Sequence, residues 1–215
     1  MIDRDMNDSL IEKLTGDLHP VRALRFHEGL TWIALAACAT LAISYFWLDI
    51  REDLASGVFP PMFLITQGLF LILGLAAATT TVTMASPQVG NRHDGWKWAL
   101  AMASLLPLVG AIAAISAYYA GSDYEEGHDS FCFIHGLVLG LLTAAPLIIW
   151  LRRGAPASPA RAGLLTGIAA GCIGVFAYGF FCAYDNIIHV GIGHSMVIFV
   201  SAALGRLVIP RLIRW

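Results

Sequence analysis

Two cysteines and the histidines near them carry the densest chemistry in this chain. Cys132 and Cys182 stand fifty residues apart, and each has further donor groups close by. His135 follows the first cysteine by three residues, Asp185 follows the second by three, and His189 and His194 come shortly after. Thiolate sulfur combined with imidazole nitrogen suits Zn²⁺, Cu⁺ and similar ions better than Mg²⁺ or Ca²⁺. Cys132 and His135 at i, i+3 share one face of a helix, so both can reach one ion. The expected ligands are therefore Cys132, His135, Cys182, Asp185, His189 and His194, with Cys132 and Cys182 as a redox-responsive thiol pair. The spacing matches no zinc finger and no haem-attachment Cys-x-x-Cys-His, so the signal lies in composition and placement. A static disulfide or plain packing of the two cysteines is the competing reading. Cys38 and Cys172, in the middle of apolar stretches, read as small buried hydrophobes.

Residues so far apart in sequence need a fold to bring them together, and composition restricts which one. Of the 215 residues, 58% are apolar and 13% charged, against about 25% charged in ordinary soluble domains. A water-soluble globule is excluded. The formal net charge of -2 gives no sign of direct nucleic-acid binding. Six apolar stretches, near Gly29–Leu48, Pro60–Ala85, Trp98–Ala120, Cys132–Leu151, Gly163–Cys182 and Ile187–Val208, are each long enough to cross about 30 Å of hydrocarbon as a helix. The expectation is an all-α polytopic bundle of six transmembrane helices in the lipid bilayer. Pro107 and Pro146 fall inside two of the spans, which membrane helices tolerate.

Orientation follows from the basic residues. Of the 13 Lys and Arg, all but Arg51 fall on the side that holds both termini. By the positive-inside rule the termini are cytoplasmic, and Cys132 and Cys182 lie at the external face. That face also carries Asp123, Glu125, Glu126, His128 and Asp129 in one loop, an acidic segment able to concentrate cations. The tryptophans cluster near span ends, as aromatic belts do. The first span reads as a permanent anchor rather than a cleaved signal peptide, because a mixed-charge segment precedes it. In the fifth span Gly163, Gly167, Gly171 and Gly174 form a small-residue stripe, suited to close packing within the bundle or, alternatively, to a homo-oligomer interface.

Residues 1–27 form a separate cytoplasmic segment ahead of the transmembrane unit 28–215. Leu10, Ile11, Leu14 and Leu18 keep the spacing of one helix face, and Pro20 ends the run. Such a short amphipathic helix can dock on a partner, pack on its own bundle or lie on lipid. Its acidic balance disfavours an anionic lipid surface.

At this point the chain resembles a known family, NrsF, the bacterial negative regulators of an extracytoplasmic-function sigma factor. The resemblance rests on Leu10-Ile-x-x-Leu14 and Asp17-Leu-x-Pro-Val-Arg22, on Cys132 opening the fourth span, and on Trp150-Leu-Arg-Arg-Gly-Ala-Pro156. It continues through the glycine-rich fifth span ending Ala177-Tyr-x-x-x-Cys182 to Leu204-Gly-Arg and Arg214-Trp215. Where the family more often has Cys-Pro-Glu-Asp and a later Trp-Tyr, this chain has Cys182-Ala-Tyr-Asp185 and Gly193-His194. The resemblance implies a non-enzymatic anti-sigma factor of the bacterial inner membrane. It would hold its sigma factor through Leu10, Ile11, Leu14, Asp17, Leu18, Pro20, Val21 and Arg22, and release it when metal ions or oxidative stress act on Cys132 and Cys182. A regulatory Cu or Zn ion is the cofactor this allows. The alternatives are a small metal-handling transporter, for which the spans hold little polar lining, and a membrane thiol oxidoreductase, for which a Cys-x-x-Cys pair is missing.

Overall fold

The computed structural model describes residues 4–16, 23–86, 95–121 and 129–213. It contains α1 (Arg4–Gly16), α2 (Phe26–Trp47), a short α3 (Glu52–Ala55), α4 (Pro61–Met84), α5 (Gly95–Tyr119), α6 (Asp129–Arg153) and α7 (Pro159–Gly179). A π-helical segment, His189–His194, runs directly into α8 (Ser195–Leu212). There is no strand among the described residues. Helices α2, α4, α5, α6 and α7, and α8 together with its π segment, are long and apolar enough to cross a membrane. The six expected spans are thus all present, with ends shifted by a few residues. Pro61 and Pro159 sit in the first turns of α4 and α7, where a missing N–H leaves no bond unmade.

Helix α7 is the axis of the bundle. Its spanning window is 94% buried within the protein, whereas that of α5 is 17% buried, so α5 lies at the periphery and α7 is surrounded. Glycine explains how α7 can be so enclosed. A Cβ at Gly163 or Gly167 would meet backbone of Gly205 or Ser201 in α8, and one at Gly171 would stand 2.8 Å from the Cα of Ile198. Gly174 meets Gly136 and Gly140 of α6 in the same way. The stripe is therefore filled by helices of the same chain, in the small-residue packing that lets membrane helices approach closely.

Trp150 closes the end of the bundle where α2 begins and α8 finishes. Its ring is buried against Gly29 of α2, and its Nε1–H donates to the Val82 carbonyl at 3.3 Å. At the opposite end, α3 is tied to the segment after α7: the Arg51 amide donates to the Phe180 carbonyl at 3.2 Å. In α1, Asp8 and residues 11–16 are exposed, with Ile11 at 58% and Leu14 at 62%. The side chain of Leu10 and all of Asp17, Leu18, Pro20, Val21 and Arg22 lie outside the described residues, as does the acidic loop from Asp123 to His128.

Candidate functional site

Three segments converge at the end of the bundle that carries α3. Cys132 stands in the first turn of α6. Cys182 follows α7, where the chain turns out of the helix through hydrogen bonds donated by the Phe181 and Cys182 amides to the Tyr178 carbonyl. His189 and His194 begin and end the π segment. Asn186 prepares that segment: its side-chain oxygen accepts the His189 amide at 2.8 Å, and its carbonyl accepts the Val190 amide at 3.0 Å.

The π winding is what lets both histidines serve one place. At 100° per residue, positions five apart on an α-helix diverge by about 140°. A π turn closes i to i+5 and stacks them instead. The two imidazole centroids are 5.2 Å apart. Gly191, in the middle of the turn, rests on Gly110 of α5, where a Cβ would come within 2.9 Å of the Gly110 Cα.

The sulfurs of Cys132 and Cys182 are 3.6 Å apart, and the Cys182 sulfur is 3.4 Å from Nε2 of His189. One donor atom from each of Cys132, Cys182, His189 and His194 falls within 4.8 Å of all the others. All four residues are 5% exposed or less, and both cysteines are free thiols. For a tetrahedral ion with Zn–S near 2.3 Å and Zn–N near 2.0 Å, ligand atoms sit roughly 3.8 Å apart for two sulfurs and about 3.6 Å for sulfur and nitrogen. The observed sulfur–sulfur and sulfur–nitrogen separations are close to those values. Both ring nitrogens of His194 are buried without a hydrogen-bond partner among the described residues, an expensive state that a bound ion would relieve at one of them. The donors therefore fit a thiophilic metal.

The Cys182 thiol donates to the Tyr184 carbonyl at 3.4 Å. Its pKa is pushed well above the usual thiol range, first by the hydrogen bond with Cys132 and then by burial. A metal is bound by the thiolate, so a proton on that sulfur must be lost first.

Two of the six residues singled out by sequence stand around this group rather than in it. The Nδ1–H of His135 donates to the Phe131 carbonyl at 2.7 Å, and its ring is stacked on Tyr178 at 5.4 Å. Tyr178 in turn meets the His194 ring edge-on at 6.3 Å. Asp185 pairs with Arg51 at 3.2 Å, and Arg51 also grips Asp53 at 2.7 Å. The guanidinium holds the Asp53 carboxyl below its ordinary pKa. Sequence reasoning missed this bridge, although Arg51 was conspicuous as the lone basic residue on its side. It also missed Asn186 and the π turn. Of the two cysteines expected to be buried in the spans, Cys172 is, but Cys38 is exposed on the outer face of α2. A small apolar thiol can face lipid as readily as protein.

Fold and site define a polytopic helical membrane protein with a buried pair of thiols and a pair of imidazoles near one end of the bundle. The chain belongs to the NrsF family, "negative regulator of sigma F", whose pattern it matches over residues 14–215. It is 26% identical over 229 aligned residues to the anti-sigma-F factor NrsF of Caulobacter vibrioides, with 97% of this chain and 99% of that protein covered. No solved structure matches the chain.

Proposed function

We propose that this protein is an inner-membrane anti-sigma factor, that its cytoplasmic N-terminal segment sequesters an extracytoplasmic-function sigma factor, and that a Cys132–Cys182–His189–His194 site on the periplasmic side sets the release. The anti-sigma role comes from the family match and from the name of the Caulobacter relative, whose alignment covers nearly the full length of both chains. The observation that carries the sensing role is the convergence of four buried donors from three segments within 4.8 Å.

Cys132, Cys182, His189 and His194 would hold Zn²⁺ or Cu⁺, which supplies a positive centre shared by all four. Drawing these side chains to one point fixes α6, the end of α7 and the start of α8 relative to each other. The same two thiols offer a second input: loss of two electrons and two protons to a thiol-oxidising agent joins their sulfurs and constrains α6 and the end of α7. In either case the new arrangement must bind the sigma factor less well. A 100-fold release corresponds to about 2.7 kcal/mol of coupling, within the usual range for two linked sites.

The exposed apolar pair Ile11 and Leu14 of α1 suits a helix-in-groove contact. The test is co-purification of the detergent-solubilised protein with each sigma factor of its host. Wild type should retain one of them, and the double variant Ile11→Asp, Leu14→Asp should lose it at unchanged expression in the membrane. Absence of any wild-type pairing would sink the anti-sigma reading. A reporter driven by the released sigma factor tests the sensor: Cys132→Ser or Cys182→Ser should leave it either blind to metal and oxidant or permanently on, and a wild-type response in both would remove the thiols from the mechanism.

A further inference from the structure

A second feature lies at the other end of the bundle. An apolar groove of about 460 Å³ runs between α6 and α8 over α7, with Leu141, Ala144 and Ile148 on one wall, Leu204 and Val208 on the other, and Gly167 in its floor. Its lining extends from Leu137 to Ile148 on α6 and from Ser201 to Leu212 on α8. At 1.5 Å per residue that is about 16 Å, half of a hydrocarbon core of about 30 Å. The groove thus matches the depth of one leaflet.

Its lining suits the occupant. Apart from Ser201 every side chain along it is apolar, so a hydrocarbon chain can lie there without stranding a polar group.

Charge selects the headgroup. Arg152 lies four residues beyond Ile148, and Arg211 lies three beyond Val208 and seven beyond Leu204, so each continues the helix face that walls the groove, one turn nearer the end. Both are exposed. One arm of the Arg211 guanidinium donates to the Leu207 carbonyl at 2.7 Å, which anchors it while its other N–H groups remain to be used. The neighbouring Arg153 is committed elsewhere, stacked over Trp32 at 4.7 Å. Two arginines on the helix faces that wall an apolar groove suit a phosphate bound through paired N–H donors, and basic pockets between membrane helices recognise anionic lipid headgroups on this principle.

We propose that this groove is a binding site for an anionic phospholipid, with one acyl chain lying between α6 and α8 and the headgroup phosphate held by Arg152 and Arg211. The bound lipid bridges the helix that carries Cys132 and the helix that follows His194.

The full-length protein, delipidated in detergent and offered equal amounts of dioleoyl phosphatidylglycerol and dioleoyl phosphatidylcholine, is analysed by native mass spectrometry. Wild type should carry the phosphatidylglycerol adduct at least five-fold over the phosphatidylcholine adduct. Arg152→Gln with Arg211→Gln, both at exposed positions, should bring that ratio to about one with the helical circular dichroism unchanged. Ala144→Phe, which fills the groove, should lower both adducts at least five-fold with the helical circular dichroism unchanged. An equal ratio in wild type, a preference that survives loss of both arginines, adducts unaffected by Ala144→Phe, or a paired-chain species that this substitution abolishes would each overturn the proposal.

Discussion

Each donor of the four-residue site reaches its place for a different reason, which makes their roles separable. Cys132 is delivered by the first turn of α6, Cys182 by the turn that ends α7, and the histidines by a π winding. If they form one metal site, Cys132→Ser or His194→Gln should weaken binding by more than about 100-fold, beyond the 10–100-fold typical of residues that only support ligands. His135→Gln, whose ring is stacked on Tyr178 and bonded to Phe131, should fall at or below that supporting range. Competition against a chromophoric chelator distinguishes the two sets, and equal losses at His135 and His194 would contradict this assignment. The pH dependence has a definite sign. The pKa of Cys182 is raised and a metal takes its thiolate, so binding expels a proton, and apparent affinity rises with pH and falls on acidification. A flat profile through neutrality would mean that the thiol is not a ligand.

At the scale of elements, the decisive pieces are the glycines that set how closely helices approach. Gly191 has the backbone of Leu106 and Gly110 within 2.9 Å of where a Cβ would stand. Backbone cannot yield as a side-chain tip can. Gly191→Ala should therefore lever α5 away from the π turn and destabilise the protein by about 1–3 kcal/mol, the usual penalty of overpacking. Gly68→Ala in α4 is the control, since nothing lies within 4 Å of its Cβ position. Thermal unfolding in detergent should show a lower midpoint for the first and none for the second. A shared response would mean that helix propensity, not contact with α5, governs Gly191. The glycine stripe of α7 was legible in the sequence, since small residues every four positions are a local pattern. Its partner helix was not, because periodicity gives a face and not what covers it.

For the molecule as a whole, the two ends of the bundle are chemically opposite. Among the described residues, one gathers the basic side chains and the apolar groove; the other has the buried thiols, the His189 and His194 imidazoles and a single arginine already engaged by Asp53 and Asp185. The charge asymmetry predicts that green fluorescent protein fused to either terminus fluoresces in the cytoplasm, and that alkaline phosphatase inserted after Gly57 is active outside. Phosphatase activity at a terminal fusion would reverse the orientation.

By itself the sequence determined the number of spans, their approximate limits and the sidedness of charge. Each of these is local: a stretch partitions into lipid according to its own length and apolarity, and a basic residue counts by which connection it occupies. It also marked six donor residues as one neighbourhood. Only the tertiary structure decided that Cys132, Cys182, His189 and His194 converge while His135 turns to Tyr178 and Asp185 to Arg51. That choice depends on the depth at which α6 packs on α7 and on the local change from α to π winding at the head of α8. Both are settled by contacts between residues distant in the chain, which hydrophobic periodicity does not record.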